Sequence, residues 1–184
     1  VALGGPSDKY AIDETTKLPI VIHPDKSTTS YDDSGKQITR NADGLTTSVK
    51  LADGTFTSYT YQNDTMKSSL TKYPGDAGTK EQLFTPSGTV TVTRDASGAA
   101  SVMAEVPGAN AIQVNPGDAI RTNASGQVVI ASANGNERVV FGDGNSQLTE
   151  KSTGQTSVYN LKGEIVSVSG SPQRAAVAEA PKPP

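Results

Sequence analysis

His23 is the one imidazole in a chain of 184 residues. An imidazole acts as a general base when a second group orients it and a nucleophile lies in reach. The sequence nominates no such partner. His23 precedes Pro24-Asp25 at the end of an apolar run and reads as a surface or turn residue. Cysteine is absent, which removes thiol nucleophiles, Cys-ligated zinc, iron–sulfur centres and disulfide scaffolds. The remaining oxygen clusters are turns. Asp32-Asp33-Ser34-Gly35 and Gly142-Asp143-Gly144-Asn145 offer the donors that Ca²⁺ takes. Turn chemistry explains both fully, so no metal and no cofactor is expected. The acidic residues scatter over turns and do not pair for hydrolysis. There is no Gly-x-Ser-x-Gly and no phosphate-binding glycine loop. No catalytic residue is assigned, and the chain does not read as an enzyme.

The aromatic residues offer a different chemistry. Tyr59 and Tyr61 share one face of a predicted strand, with Phe56 on the other. Phe56, Tyr59 and Tyr61 are the candidate binding residues, for a glycan or a protein partner. The competing reading is that they pack across strands. Asn63-Asp64-Thr65 and Asn123-Ala124-Ser125 match the glycosylation pattern, as Thr/Ser-rich chains do by chance. A net charge of −3 and a pI near 5.1 argue against nucleic acid. No run approaches the length of a membrane span. The first residue is Val, which fits a processed or excised segment.

The elements that carry these residues follow from spacing. Asx-Gly and Ser-Gly pairs punctuate the chain. Turn marks fall at 35, 44, 54, 63, 75, 88, 98, 108, 117, 126, 135, 144, 154 and 163, and eleven of the thirteen gaps are 9 or 10. The narrow spread is the signal, because random glycines scatter widely. Each unit holds a strand of about six residues and a tight turn. The runs between marks alternate and favour β-branched residues, as in Thr89-Val90-Thr91-Val92-Thr93. Ala99 to Val106 fits a short helix or a strand, and the surrounding period favours the strand. Residues 1–27 read as an extended leader with one edge strand, Leu18 to Ile22, which Pro19 keeps at the edge. Residues 28–170 form the β-hairpin domain, with about a dozen strands. Residues 171–184 are an Ala/Pro-rich tail suited to linking or docking.

Leu, Ile, Val and Phe number 35, about 19% of the chain. Two inner faces of a full sandwich need more. The reading is therefore an all-β, elongated antiparallel meander, single-layered or thinly two-layered, with irregular arms at both ends.

Two stretches resemble known families. Tyr31-Asp32-x-x-Gly35-x-x-Ile38-Thr39-Arg40, then Asp53-Gly54 and Tyr59-x-Tyr61, resembles the Tyr-Asp (RHS-type) hairpin repeats of bacterial surface and toxin-shell proteins. The match covers roughly residues 30–73, and Tyr61-Gln62 stands where a second Tyr-Asp belongs. Val114 to Thr122 is similar to a Gly-Asp-x-Ile-x-Thr hairpin of secreted and periplasmic repeat domains. Both resemblances imply extracytoplasmic bacterial structure, in the periplasm, at the surface or secreted.

The expected function is a non-catalytic scaffold. It would assemble with itself or a larger complex through sheet edges and terminal arms. The alternative is a glycan- or peptide-binding β module.

Overall fold

The computed structural model describes residues 5–170. The tail at 171–184 and the first four residues of the leader lie outside them. The local unit is a turn. In nine hairpins the N–H of residue i donates to the carbonyl of i+4, and the N–H of i+3 donates back to the carbonyl of i. Residue i+3 is left-handed, with φ from 66° to 94°. Eight of the nine have glycine there, the residue that adopts this conformation without a steric cost. The ninth has Lys26.

These turns join strands to their sequence neighbours, always antiparallel. The first eleven strands are β1 (Lys9–Ile12), β2 (Pro19–Ile22), β3 (Thr28–Tyr31), β4 (Gln37–Arg40), β5 (Thr46–Lys50), β6 (Phe56–Gln62), β7 (Thr65–Lys72), β8 (Gly78–Thr85), β9 (Gly88–Asp95), β10 (Ala100–Ala104) and β11 (Ile112–Val114). They form one sheet in chain order. The turn Asn115–Asp118 then ends that sheet. A second sheet, also in chain order, holds β12 (Ala119–Thr122), β13 (Val128–Ala131), β14 (Glu137–Val140), β15 (Ser146–Thr149), β16 (Thr156–Tyr159) and β17 (Ile165–Ser169). The element at Pro74–Asp76 is a single 3-10 turn, at the irregularity in the glycine spacing.

The all-β antiparallel meander is as expected, with seventeen strands where about a dozen were read. The leader differs most. It contains two strands, and the run with Pro19 is the second of them, not the edge. Pro19 is the first residue of β2 and lies opposite Ile12. That is a position where a missing N–H is tolerated inside a sheet. Residues 99–106 contain a strand, β10.

The core sits where the two sheets meet. Val90, Val92, Val102, Val128, Ile130 and Val140 form one buried cluster. Leu83, Ile112, Val114 and Ile120 pack at its rim. Small glycines let the layers approach. At Gly88, an added Cβ would meet the Gly142 carbonyl oxygen at 2.7 Å. The Gly142 N–H donates to Ser87 Oγ at 2.8 Å, which fixes this close passage. Strands β1–β7 supply nothing to the cluster. Their buried residues are Val21, Thr29, Ser30 and Ser69. The thin apolar supply of the sequence is thus concentrated at one junction, and the rest of the large sheet is held by its ladder and cross-strand pairs.

Candidate interaction surfaces

The register brings His23 to partners that lie far from it in sequence. Nδ1 is 3.1 Å from Asp8 Oδ1, and Nε2 is 2.9 Å from Thr29 Oγ1. Carboxylate, imidazole and hydroxyl in line are the arrangement of a nucleophilic triad. Thr29 is only 4% exposed, and its hydroxyl is also 3.4 Å from Thr39 Oγ1. A hydroxyl so enclosed cannot reach a substrate carbonyl. The cluster instead fastens the segment before β1 to β2 and β3.

The turn aspartates point at their own backbone. Asp32 Oδ1 accepts from the N–H groups of Ser34 and Lys36 and from the Ser34 hydroxyl, at 2.6–3.0 Å. The Ser34 hydroxyl is the largest of the causes that hold the Asp32 carboxyl below its ordinary range. In the other calcium candidate, both Asp143 oxygens accept from Asn145. Asn123, in a glycosylation pattern, donates its side-chain amide to Gln127 Oε1 at 3.0 Å, and its oxygen accepts two turn N–H groups. These are the bonds of an Asx turn. Among the described residues no three acidic or imidazole side chains are grouped for a metal.

The aromatic candidates divide between the two faces of β6. Phe56 lies opposite Lys50 and Lys72, half exposed. Tyr59 lies opposite Ser69, and Tyr61 opposite Met66 across a bulge. The Tyr61 hydroxyl donates to the Thr46 carbonyl at 2.8 Å, which pins the ring against β5. Tyr59 and Tyr61 are both half-buried in the sheet surface.

A polar ladder crosses the face opposite the core. Glu105 Oε1 accepts from Thr91 Oγ1 at 2.6 Å and Gln82 Nε2 at 2.8 Å, with Lys80 Nζ at 3.4 Å. The Thr91 hydroxyl and the Gln82 amide, with Lys80 beside them, hold its carboxyl below its ordinary value. A depressed carboxylate stabilises the fold above its unfolded pKa, about 4.3, and loses that contribution as pH falls through its lower folded value. The melting temperature should therefore decline below about pH 4.3. A Glu105→Gln variant should decline less steeply over the same acid range in calorimetry. Equal slopes would remove Glu105 from the account.

Two surfaces are left open to partners. The outermost strand of the small sheet, β17, is exposed at every residue, with Ile165 at 59% and Val168 at 52%. At the other end, β1 is the outer strand of the large sheet. Tyr10, Ile12, Pro19, Val21 and Tyr31 line an apolar groove there of about 290 Å³. Neither surface was legible as a site in the sequence. The apolar alternation of β17 was visible, but not that no described residue covers it.

No family model matches the chain, and no curated protein matches it. Several solved structures resemble it. The TCP10 domain of Danio rerio CPAP superposes with a TM-score of 0.39 at 15% identity, covering 89% of each chain. The microcephaly protein CPAP G-box domain, described with a suggested role in centriole elongation, gives 0.26 at 13% identity, covering 88% of this chain and 92% of that one. The TCP10c domain of Drosophila melanogaster Sas-4 gives 0.27 at 16% identity, covering 82% and 97%. These likenesses assign the chain no role. The expectation of an extracytoplasmic bacterial location is corrected: the resembled domains are those of CPAP and Sas-4, one of them described with a suggested role in centriole elongation, and that location is not carried forward. Within the stretches that suggested it, Asp32 to Gly35 and Asn115 to Asp118 are closed by the hydrogen bonds of tight turns.

Proposed function

We propose that the chain is a non-catalytic scaffold protein that assembles through its sheet edges. The observation that carries this is β17. Natural sheets blunt their edges with charge, proline or cover, because unpaired N–H and C=O groups template another strand. β17, Ile165-Val166-Ser167-Val168-Ser169, has no charged residue and no proline, and its apolar side chains stand in solvent. Its one irregularity is a bulge in its pairing with β16. Such an edge is suited to strand addition by a protein partner. The resemblance of residues 30–73 to structural hairpin repeats supports the same reading. So does the enclosed hydroxyl of the His23 cluster, which offers no accessible nucleophile.

Light scattering at several concentrations tests this. The protein should grow in mass with concentration, and Val168→Lys should weaken that growth by roughly tenfold or more, since a charge on an edge strand blocks addition. A compact monomer at every concentration would remove the self-assembling form of the proposal. A partner recovered on wild type and lost on Val168→Lys would retain the hetero-complex form.

A further inference from the structure

The groove at the β1 edge has a lining and a rim that together specify an occupant. Tyr10 is 63% and Ile12 61% exposed, although both are large and apolar. Register places their partners on the same face: Tyr10 opposite Val21, and Ile12 opposite Pro19. Tyr31 completes the wall from β3. The strand ends beside this wall run into acidic turns. Asp13 and Glu14 follow Ile12, and Asp32 and Asp33 follow Tyr31, against Lys17 and Lys36 in the same turns. Turn hydrogen bonds from Thr16 and Thr15 hold the Asp13 carboxyl below its ordinary range, so it remains an anion. An aromatic-walled apolar groove with an anionic rim is matched by a short proline-rich segment carrying a cation. Proline rings pack on aromatic faces, and their fixed φ lowers the ordering cost of docking.

The chain contains such a segment at residues 181–184, Pro-Lys-Pro-Pro. We propose that this groove receives the 181–184 segment of a second copy of the chain. The inference rests on the scaffold reading above and names a contact within it.

The segment's own groove lies at the limit of its reach. The small sheet is tied to the far end of the large one, since the Asn110 N–H, just before β11, donates to the Leu161 carbonyl, just before β17, at 2.8 Å. From β11 back to β3 and β1, the strands that bound the groove, there are eight and ten interstrand steps, about 38 and 48 Å along the sheet. Ten residues separate Gly170 from Pro181, and these eleven steps span at most about 40 Å when fully extended. The segment of another molecule meets the groove without such stretching. Tail and groove are different surfaces, so the contact is head-to-tail and open-ended.

Sedimentation of the full chain tests the proposal with two variants. Tyr10→Ala spoils the groove, and replacing Pro181, Pro183 and Pro184 together with alanine spoils the segment. Each alone should associate at least about tenfold more weakly than wild type, the scale of losing one aromatic anchor. Mixed in equal amounts, they retain one good groove and one good segment per pair. With Val168→Lys added to both, so that edge association through β17 is removed, the mixture should form a dimer and nothing larger. Ile12→Lys, also at an exposed position, should behave as Tyr10→Ala does. If all three variants associate like wild type while Val168→Lys does not, the groove proposal fails and the scaffold reading stands. If wild type is monomeric throughout, the groove proposal fails together with self-assembly. Loss of association in each variant without rescue on mixing also overturns it.

Discussion

Replacing Val102 with aspartate should cost about 4 kcal/mol or more, enough to unfold the junction of the two sheets. Val102 is fully buried, opposite Val92 on one side and Ile112 on the other. The facing layer supplies Val128, Ile130 and Val140. No cation and no hydrogen-bond donor is among these side chains. A carboxylate there is either an unpaired buried charge or a protonated acid without a partner, and both are costly. Domains have about 5–15 kcal/mol in total, and among the described residues this one has a single buried apolar cluster from which to draw. Urea unfolding followed by circular dichroism checks the prediction. Ser101→Asp is the control, because Ser101 is the adjacent residue, points to the other face and pairs with Thr93 and Gln113. It should lose less than about 1 kcal/mol. Similar losses in both variants would show that strand β10, and not the buried cluster, carries the sensitivity.

Gly142→Ala should be the second most damaging change, at about 2–3 kcal/mol. Gly142 is not in the left-handed region, so alanine suits its backbone. The obstacle is space. A Cβ there would fall far inside contact with the N, Cα and C atoms of Gly88. Backbone cannot swing aside as the end of a long side chain does, so the layers must separate and the Ser87 to Gly142 hydrogen bond must lengthen. Gly126→Ala makes the comparison. Gly126 has φ 75° and nothing within 4 Å of an added Cβ, so its loss is conformational alone, about 1 kcal/mol. The urea midpoints of the two variants should differ clearly. If Gly142→Ala is the milder, the close passage does not hold the layers together.

The sequence made the turns legible because their chemistry is local. All fourteen turn marks read from spacing have positive φ in the structure, Asn63 included. Turns closed by another residue type were hidden. Lys17 and Lys26 take the left-handed position in the first two hairpins, which is why the leader read as one strand instead of two. The layering was not legible. Nothing local says that Val128 and Ile130 must face Val90 and Val92 rather than solvent, since any alternating strand offers two faces. The partners of His23 were hidden for the same reason. Asp8 lies fifteen residues before it and Thr29 six after, and only strand register brings them together. Tyr59 and Tyr61 were visible as a pair, but the Thr46 carbonyl that holds Tyr61 depends on the pairing of β5 with β6.

The order of strands in space is the order in the chain, without exception in either sheet. Every strand can therefore find its neighbour by closing one short loop, so the entropic toll of long-range search is small and folding can start at many points. The same linear connectivity limits cooperativity, because each strand is coupled mainly to the two beside it, as in solenoid arrays. Among the described residues, the junction of the layers is where distant parts of the chain lock each other. The molecule is thus a zipper with a single clasp: its free ends fray first, and those fraying ends are the strands and groove that partners would bind and hold shut.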